Sequence, residues 1–417
     1  MNSFTLYTPT RLFFGADQLK AFTEAAARLG KRALLVTGGG TIKRLGYFDL
    51  VANAFSAQGV TLSHFSGIEP NPEAATVNRA ATQYRADKAE FVIALGGGSV
   101  IDASKAIAAL VHSGENDIWP FVLGESRAFQ LKEAAPIVAI PTTAATASEV
   151  TPYAVISNRS TRGKSILAAE FLKPLVSWLN PEFTVALSAN TTQDGAADIF
   201  SHVIENYLLG GNDSPLADRY SEGVIATVLE TLPRLLANPA NVAARGDLFW
   251  AATLALNDYQ LAGRRAAQFV LHSLEHSLSA FVPELAHGRG LATLYPSYFR
   301  WLLKHGRARE RLAQLGGRLF GLTGSEAEKA NGFVAKFEQW LDANQLLQSL
   351  SEVGFKESDY STIANYAVKV YGDGKQLEAL GPISHDDIVQ IYKDTERQSK
   401  QARHPSVKSA AGELATA

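Results

Sequence analysis

Positions 91–105 of the 417-residue chain read FVIALGGGSVIDASK. Five apolar residues run directly into the glycines Gly96, Gly97 and Gly98, then into Ser99 and a segment with helical spacing. Glycines at the end of a strand let the backbone approach a pyrophosphate, and a helix start offers free N–H groups and a positive dipole end. The stretch therefore favours a phosphate-binding turn of an α/β sheet. It is not a GxGxxG motif, and it also suits a tight strand-to-helix turn that binds nothing.

Around this stretch, the first half of the chain alternates short apolar runs with helical segments, as βαβ units require. The predicted strands are 33–36, 60–65, 91–95, 137–140 and 154–156. Predicted helices between them include 47–58 and 72–85. We predict a nucleotide-binding α/β domain with a mostly parallel sheet and helices on both faces.

After about position 190 the pattern becomes helical. Apolar residues recur at helical spacing in 196–209, 216–236, 248–261 and 268–280. An Asn-Pro pair at 180–181 precedes these segments and favours a boundary nearby. We predict two domains, an α/β dinucleotide-binding domain at 1–187 and an all-helical domain at 188–417.

The composition excludes several classes of protein. Thirty-nine basic and 41 acidic side chains give a formal charge of −2, which leaves no basic surplus for a nucleic acid or an anionic membrane. The chain has no cysteine, so histidine, carboxylate or backbone oxygen must hold any metal. No apolar run reaches the ~20 residues of a membrane helix, and no signal peptide is visible at the start. We expect a soluble, cytoplasmic protein.

A second glycine cluster follows the first predicted strand and consists of Gly38, Gly39, Gly40 and Thr41. NAD-specific folds usually place a carboxylate near this point to bind the ribose hydroxyls. Here two cations follow, Lys43 and Arg44, which favours a 2′-phosphate and therefore NADP(H) over NAD(H). The alternative is a solvated basic face. A third segment, PTTAATASE at 141–149, suits either a nucleotide crevice or a plain hydroxyl-rich loop.

The helical half carries a carboxylate and histidines at informative spacings. They are Asp198, His202, His272, His276 and His287. The first two are four residues apart, as are His272 and His276, so each pair shares one face of a helix. One carboxylate and three imidazoles form a competent site for Fe²⁺ or Zn²⁺, and a structural role is the alternative. Glu205 is expected either to orient His202 or to be exposed.

Taken together, these segments resemble the group III, iron-containing alcohol dehydrogenases, most closely the branch of butanol dehydrogenases and NADPH-dependent aldehyde reductases. The resemblance runs from residue 9 to at least 290, through 9–11, 14–15, 38–43, 70–72, 96–99 with Asp102 and Lys105, 141–143, 198–205, 272–276 and 287–288. It implies the dehydroquinate synthase-like, or iron-containing alcohol dehydrogenase, fold. The chain departs from the family at Ala145 and Ala147, where glycines are common.

The resemblance also implies roles for particular residues. The implied metal ligands are Asp198, His202, His272 and His287. His276 is implied to lie near the nicotinamide, outside the ligand set, as a candidate for proton transfer. The cofactor-binding residues predicted from the glycine clusters and the resemblance are Gly38, Gly39, Gly40, Thr41, Asn71, Gly97, Gly98, Ser99, Asp102, Thr142, Thr143 and Lys164.

The implied reaction interconverts alcohols and aldehydes by hydride transfer to or from NADP(H), with the metal as a Lewis acid on the substrate oxygen. The helical domain is then the metal-binding and catalytic one, the metal is Fe²⁺ or Zn²⁺, and the enzyme is implied to be a homodimer. Two alternatives are a metal-dependent synthase of the dehydroquinate synthase-like fold, which uses three ligands, and a non-catalytic scaffold. The intact four-ligand set favours the oxidoreductase.

Arg264 and Arg265 precede His272 by eight and seven residues. If the helix that bears His272 extends back unbroken, Arg265 lies on the same face about 10 Å away along the axis. Two guanidinium groups beside the substrate would then favour an acidic aldehyde. The alternative is a surface pair neutralised by Asp258 or by a neighbouring helix.

Overall fold

The computed structural model describes residues 1–265 and 268–402. Residues 403–417 of the predicted helical domain lie outside the described residues. No helix within these two stretches combines the length and the apolar composition needed to cross a bilayer.

The α/β half precedes residue 189. Its strands are β1 (Arg11–Phe14), β2 (Arg32–Thr37), β3 (Thr61–Phe65), β4 (Phe91–Gly96), β5 (Ile137–Pro141), β6 (Tyr153–Asn158), β7 (Gly163–Ala168) and β8 (Val176–Leu179). Its helices are α1 (Leu19–Ala26), α2 (Thr41–Arg44), α3 (Tyr47–Ala57), α4 (Ala74–Ala86) and α5 (Gly98–His112). Among the described residues, six strands form one sheet in the order β1-β8-β5-β4-β2-β3, and each neighbouring pair is parallel.

Strand β4 explains why the predicted strands are continuous apolar runs. Val92 and Ala94 pack in the core formed with α4 and α5. Phe91, Ile93 and Leu95 pack on the opposite face, with residues of α1 and α3. Because successive side chains of a strand point to opposite faces, a sheet covered on both sides needs apolar residues at every position. The predicted parallel sheet is confirmed.

The strand order reverses between β2 and β4. From β2 the chain continues outward to β3 and then returns to β4 on the other side of β2. At such a reversal a crevice opens at the carboxyl ends of the two adjacent strands, and nucleotides bind there in sheets of this type. The two glycine clusters, which follow β2 and β4, therefore flank the crevice.

One predicted strand belongs elsewhere. The segment 154–156 lies in β6, but β6 pairs antiparallel with β7 in a hairpin and is not part of the parallel sheet. The sequence analysis also missed β1 and β8. Each has four residues, which is too short for periodicity to distinguish a strand from a loop.

From Ala189 onward the described chain is largely helical. Its helices are α6 (Ala189–Leu209), α7 (Pro215–Ala237), α8 (Val242–Ala255), α9 (Val270–Phe281), α10 (His287–Lys304), α11 (Arg309–Phe320), α12 (Glu326–Ala343), α13 (Tyr360–Tyr371) and α14 (His385–Ala402). A hairpin of β9 (Gln376–Glu378) and β10 (Pro382–Ser384) precedes α14. Helix α6 begins at Ala189 rather than at 196 because the Ser188 side chain accepts a hydrogen bond from the Thr191 N–H and caps it.

The two arginines before His272 have a structural setting that differs from the predicted one. Helix α9 begins at Val270, so the prediction that Arg265 shares a helix face with His272 is wrong. Arg264 is buried, and its Nη2 donates to Asp218 Oδ1 at 2.7 Å. Arg311 donates to both oxygens of the same carboxylate, at 2.7 and 2.8 Å. A neighbouring helix, α7, therefore neutralises Arg264, but in the interior and not on the surface.

We expect Asp218→Asn to lower the free energy of unfolding by about 3–5 kcal/mol, because it leaves two buried guanidinium groups without a counter-charge. The control is Asp247→Asn, whose ion pair with Arg234 is about half exposed at both ends and is worth at most ~1 kcal/mol. Urea denaturation followed by circular dichroism measures both. Equal midpoints for the two variants would contradict a buried, charge-dependent role for Asp218.

Candidate active site

Three helices of the helical half bring four of the predicted site residues together. Asp198 and His202 lie on α6, His272 lies on α9, and His287 is the first residue of α10. The Asp198 Oδ1 lies 3.4 Å from the Nε2 of His202, 3.6 Å from that of His287 and 3.8 Å from that of His272. The aspartate and the first two histidines are buried, whereas His287 is partly exposed. The four side chains thus converge on one point.

This cluster has the chemistry of a metal site. Within the described residues, Asp198 Oδ1 and His272 Nε2 are buried without a hydrogen-bond partner, which is costly for polar atoms unless another group satisfies them. Ligand atoms at 2.0–2.1 Å around a tetrahedral metal lie about 3.3–3.4 Å apart, close to the separations observed here. A carboxylate with three imidazoles suits Fe²⁺ or Zn²⁺. The residues present therefore fit a divalent metal ion.

The electrostatics of the cluster favour a cation. Burial alone would raise the pKa of the Asp198 carboxyl, but the surrounding histidines outweigh burial and hold that pKa below its ordinary value. Burial lowers the pKa of His202 to about 3. Burial also opposes the protonation of His272, but Asp198 and Glu205 outweigh it and raise the pKa of this histidine to about 9. The carboxylates therefore stabilise positive charge at this point, and a divalent metal supplies such a charge.

Glu205 orients a different histidine from the one predicted. Its Oε2 lies 2.5 Å from His272 Nδ1, and its two oxygens accept hydrogen bonds from the backbone N–H groups of Leu271 and His272. The prediction that Glu205 orients His202 is therefore wrong, and so is the alternative of an exposed residue, because Glu205 is buried. A carboxylate on the far nitrogen fixes the tautomer and the orientation of a ligating histidine.

Glu275 does the same for His287, and the sequence analysis missed it. It is fully buried on α9, and its Oε2 is hydrogen-bonded to His287 Nδ1. The available signal was an acidic residue between His272 and His276 in an otherwise apolar helix, since a carboxylate in such a position is rarely buried unless it is paired.

His276 lies next to the cluster of four. Its ring centroid is 5.0 Å from that of His287 and 6.0 Å from that of Tyr371. With Glu275 and His287 it forms a second group whose potential ligand atoms lie within 4.8 Å of one another. Burial and the nearby positive charge of Lys164 hold the pKa of His276 well below its ordinary value. A neutral imidazole therefore stands beside the candidate metal ligands.

The predicted cofactor residues after β4 lie at the start of α5. Gly97 precedes the helix, and Thr142 donates its N–H to the Gly96 carbonyl at 3.0 Å. A Cβ added to Gly97 would lie 3.1 Å from Thr143 Oγ1, and one added to Gly98 would lie 2.7 Å from Thr146 Cγ2 and Oγ1. The turn and the threonine-rich segment therefore touch, and glycine is required where they do.

The glycine cluster after β2 is open by comparison. Gly39, Gly40 and Thr41 are exposed, and a Cβ on either glycine would meet nothing within 4 Å. The two cations that follow are also exposed. Arg44 Nη2 donates to Thr41 Oγ1 at 3.1 Å, and Lys43 Nζ lies 5.0 Å from the centre of the Phe48 ring.

Two of the remaining predicted cofactor residues link the two halves of the molecule. Asn71 donates its backbone N–H to Ser99 Oγ at 3.3 Å and its side-chain amide to the Pro283 carbonyl at 2.8 Å. Lys164 is buried on β7, and its Nζ donates to Ser279 Oγ of α9 at 2.7 Å. The crevice therefore adjoins α9 and the loop that leads to His287.

Asp102 differs from the other predicted cofactor residues because protein groups engage both of its oxygens. They accept hydrogen bonds from Ser148 Oγ at 2.5 Å and from the Val155 N–H at 2.9 Å. A cofactor contact for Asp102 stays a prediction.

A nucleotide crevice beside a four-residue metal cluster defines a metal-dependent oxidoreductase, and comparison with known proteins agrees. The family model described as iron-containing alcohol dehydrogenase matches residues 9–181, and the model of its C-terminal part matches residues 192–395. The chain is 32% identical to the NADH-dependent butanol dehydrogenase B of Clostridium acetobutylicum, over 94% of this chain and 99% of that protein. It is 34% identical to the NADPH-dependent aldehyde reductase YqhD of Escherichia coli, over 86% and 91%.

The same family appears among solved structures. The crystal structure of an NADH-dependent butanol dehydrogenase A from Thermotoga maritima superposes with a TM-score of 0.88 and 30% identity, over 94% of this chain and 98% of that one. The chain belongs to the iron-containing alcohol dehydrogenase family. It is an alcohol dehydrogenase that interconverts alcohols and aldehydes with a metal and a nicotinamide cofactor, so the oxidoreductase is supported over the synthase and the scaffold.

We expect Gly98→Ala to weaken cofactor binding, because the added methyl group collides with Thr146 and displaces the turn. Overpacking of this kind costs about 1–3 kcal/mol, or roughly a tenfold to hundredfold loss of affinity. Quenching of protein fluorescence by NADPH and NADH measures the change. The control is Gly223→Ala on α7, where a Cβ meets nothing within 4 Å. Unchanged affinity in Gly98→Ala would remove this turn from the binding site.

Proposed function

We propose that the chain is an NADP(H)-linked alcohol dehydrogenase or aldehyde reductase whose metal is held by Asp198, His202, His272 and His287. The observation that carries the proposal is Asp198 Oδ1, which is buried with three imidazole Nε2 atoms within 3.8 Å. We propose Fe²⁺ as the metal and Zn²⁺ as the alternative, since such donors bind zinc more tightly than iron.

When bound, the metal supplies Lewis-acid polarisation of the substrate oxygen. The side chains of the protein bind and orient the reactants. The turn at Gly97, Gly98 and Ser99 offers the N–H groups at the start of α5 to the pyrophosphate. Lys164 brings a buried positive charge to the junction of the two halves. His276, beside the ligand set, holds or accepts the proton that the substrate oxygen gains or loses.

We propose a preference for NADP(H) over NAD(H). Among the relatives, one is named for NADPH and the other for NADH, so family membership leaves the preference open. The support is local. At the carboxyl end of β2 stands Gly38 in place of a carboxylate, and the exposed cations Lys43 and Arg44 follow within six residues. An adenosine 2′-phosphate would meet positive charge there and no negative charge.

We propose small, uncharged alcohols and aldehydes as substrates. The Phe269 ring centroid lies 5.0 Å from that of His272, and Tyr371 lies beside His276, so aromatic surfaces border the cluster. The acidic substrate that the sequence suggested loses its support, because Arg264 is bound to Asp218. A homodimer and a cytoplasmic location stay predictions.

His202→Ala and His272→Ala should each lose metal and activity yet retain NADPH binding, because the ligands lie in the helical half and the phosphate turns in the other. Elemental analysis and fluorescence titration measure the two properties. His276→Ala is the comparison, and we expect it to keep its metal while turnover falls about 10²–10⁴-fold, the usual contribution of a general acid–base group.

Two outcomes would count against these assignments. Full activity in metal-free His272→Ala would refute the metal site. Loss of metal in His276→Ala would mean that the roles of two histidines are exchanged.

Gly38→Asp should shift the preference toward NADH by at least about tenfold, or ~1.4 kcal/mol, because a carboxylate repels the 2′-phosphate and accepts hydrogen bonds from ribose hydroxyls. A Cβ at this position meets its nearest neighbours at 3.5 and 3.6 Å, so the backbone tolerates it. The control is Gly38→Asn, which has nearly the same size and no charge. The ratio of kcat/KM for the two cofactors is the readout, and an unchanged ratio in Gly38→Asp would place the phosphate elsewhere.

A further inference from the structure

Helix α5 carries a buried lysine that the proposed chemistry does not use. Lys105 is fully buried, and its Nζ donates hydrogen bonds to Ser148 Oγ at 2.9 Å, to the Thr151 carbonyl at 2.8 Å and to the Tyr153 carbonyl at 2.8 Å. An ammonium group is costly to bury unless its protons are satisfied, and here three acceptors of one chain segment satisfy them. Lys105 therefore holds the segment 142–153, which connects β5 to β6.

Asp102 holds the same segment from one turn earlier on α5. Its Oδ1 accepts a hydrogen bond at 2.5 Å from the same Ser148 hydroxyl that accepts from Lys105. Its Oδ2 accepts from the Val155 N–H at 2.9 Å, just beyond the segment. The serine hydroxyl thus joins a carboxylate to an ammonium group. We refer to Asp102, Ser148 and Lys105 as the α5 clamp.

The clamped segment adopts a conformation that needs external support. Ala147 is buried and has a φ of +52°, a left-handed conformation that is unfavourable for alanine because of its Cβ. It stands at one of the positions where the resemblance leads us to expect glycine. Ser148, the next residue, lies at the centre of the clamp. The hydrogen bonds of α5 therefore stabilise a backbone conformation that the local sequence does not favour.

The segment touches both partners of the reaction. On one side, Thr143 and Thr146 lie against Gly97 and Gly98 of the phosphate turn. On the other side, the Ala144 carbonyl lies so close to α6 that a Cβ added to Gly195 would be 2.3 Å from it. Helix α6 bears Asp198 and His202, so the segment stands between the cofactor turn and the metal ligands.

A second contact ties the segment to the helical half. Glu149 is buried, and its Oε1 accepts a hydrogen bond from Thr253 Oγ1 of α8 at 2.6 Å. Its backbone carbonyl accepts another from Ser177 Oγ of β8 at 2.8 Å. The segment is therefore anchored in the sheet and in the helical half, and α5 holds it between these anchors.

We infer that the α5 clamp is a positioning device that sets the cofactor turn at its working distance from the metal ligands on α6. This inference rests on the proposed function, because it assumes that the turn binds the cofactor and that α6 carries metal ligands. The three residues contact neither reactant in this role. They act through segment 142–153, whose displacement would move the nicotinamide relative to the substrate, and hydride transfer is sensitive to such displacement.

The test uses the full-length, metal-loaded enzyme and three variants. Lys105→Met removes the ammonium group at similar length, and Ser148→Ala removes the shared hydroxyl while keeping both charged residues. Ser104→Ala is the matched control, because this buried hydroxyl on the same helix donates only to the Val100 carbonyl of its own helix in the described structure. Metal content, the Kd for NADPH and NADH, thermal unfolding and the primary deuterium isotope effect on butanal reduction are measured for each.

We expect Lys105→Met and Ser148→Ala to keep their metal, to bind the cofactor roughly tenfold to hundredfold more weakly, and to show a larger isotope effect than the wild type because hydride transfer becomes slower. Ser104→Ala should match the wild type. If Lys105→Met fails to fold, Ser148→Ala still decides the question.

A lower unfolding temperature with unchanged cofactor affinity and isotope effect would overturn the inference alone, because the clamp would then be merely structural. Failure of the wild type to bind either cofactor would overturn the proposed function and this inference with it.

Discussion

The helical half is organised around one buried negative charge, the carboxylate of Asp198. Its Oδ1 has three imidazole nitrogens within 3.8 Å, and the further buried carboxylates Glu205 and Glu275 hold the outer nitrogens of two of those rings. Carboxylates removed from water are stable only beside compensating positive charge. That requirement makes α6, α9 and α10 converge, and it defines a place that a divalent cation fits.

The parallel sheet solves a complementary problem for a nucleotide. Reversal of the strand order between β2 and β4 opens a crevice at the carboxyl ends of these strands, and both glycine clusters lie there. Hydrogen bonds from Asn71 to Pro283 and from Lys164 to Ser279 bring this edge of the sheet against α9 and the loop before His287. Hydride transfer needs this proximity, because the cofactor and the polarised oxygen must meet in one water-poor space.

Charge pairing in the interior also limits what the site recognises. The sequence placed Arg264 near the substrate, yet the guanidinium group is buried against Asp218 together with Arg311. An arginine that already neutralises a buried carboxylate has little to offer an acidic ligand. The aromatic rings of Phe269 and Tyr371 near the histidines are consistent with the uncharged substrates of an alcohol dehydrogenase.

The amino-acid sequence by itself determined the two architectures, because apolar runs at every position specify a sheet covered on both faces and four-residue spacing places Asp198 with His202 and His272 with His276. Motif resemblance added the family and the likely-ligand types without a structure. Only the tertiary structure decided that Glu205 pairs with His272, that Glu275 pairs with His287, that Arg264 pairs with Asp218, and that β6 leaves the main sheet. Periodicity reports which residues share a face of one element, whereas the partner of a buried charge depends on which elements pack against that face.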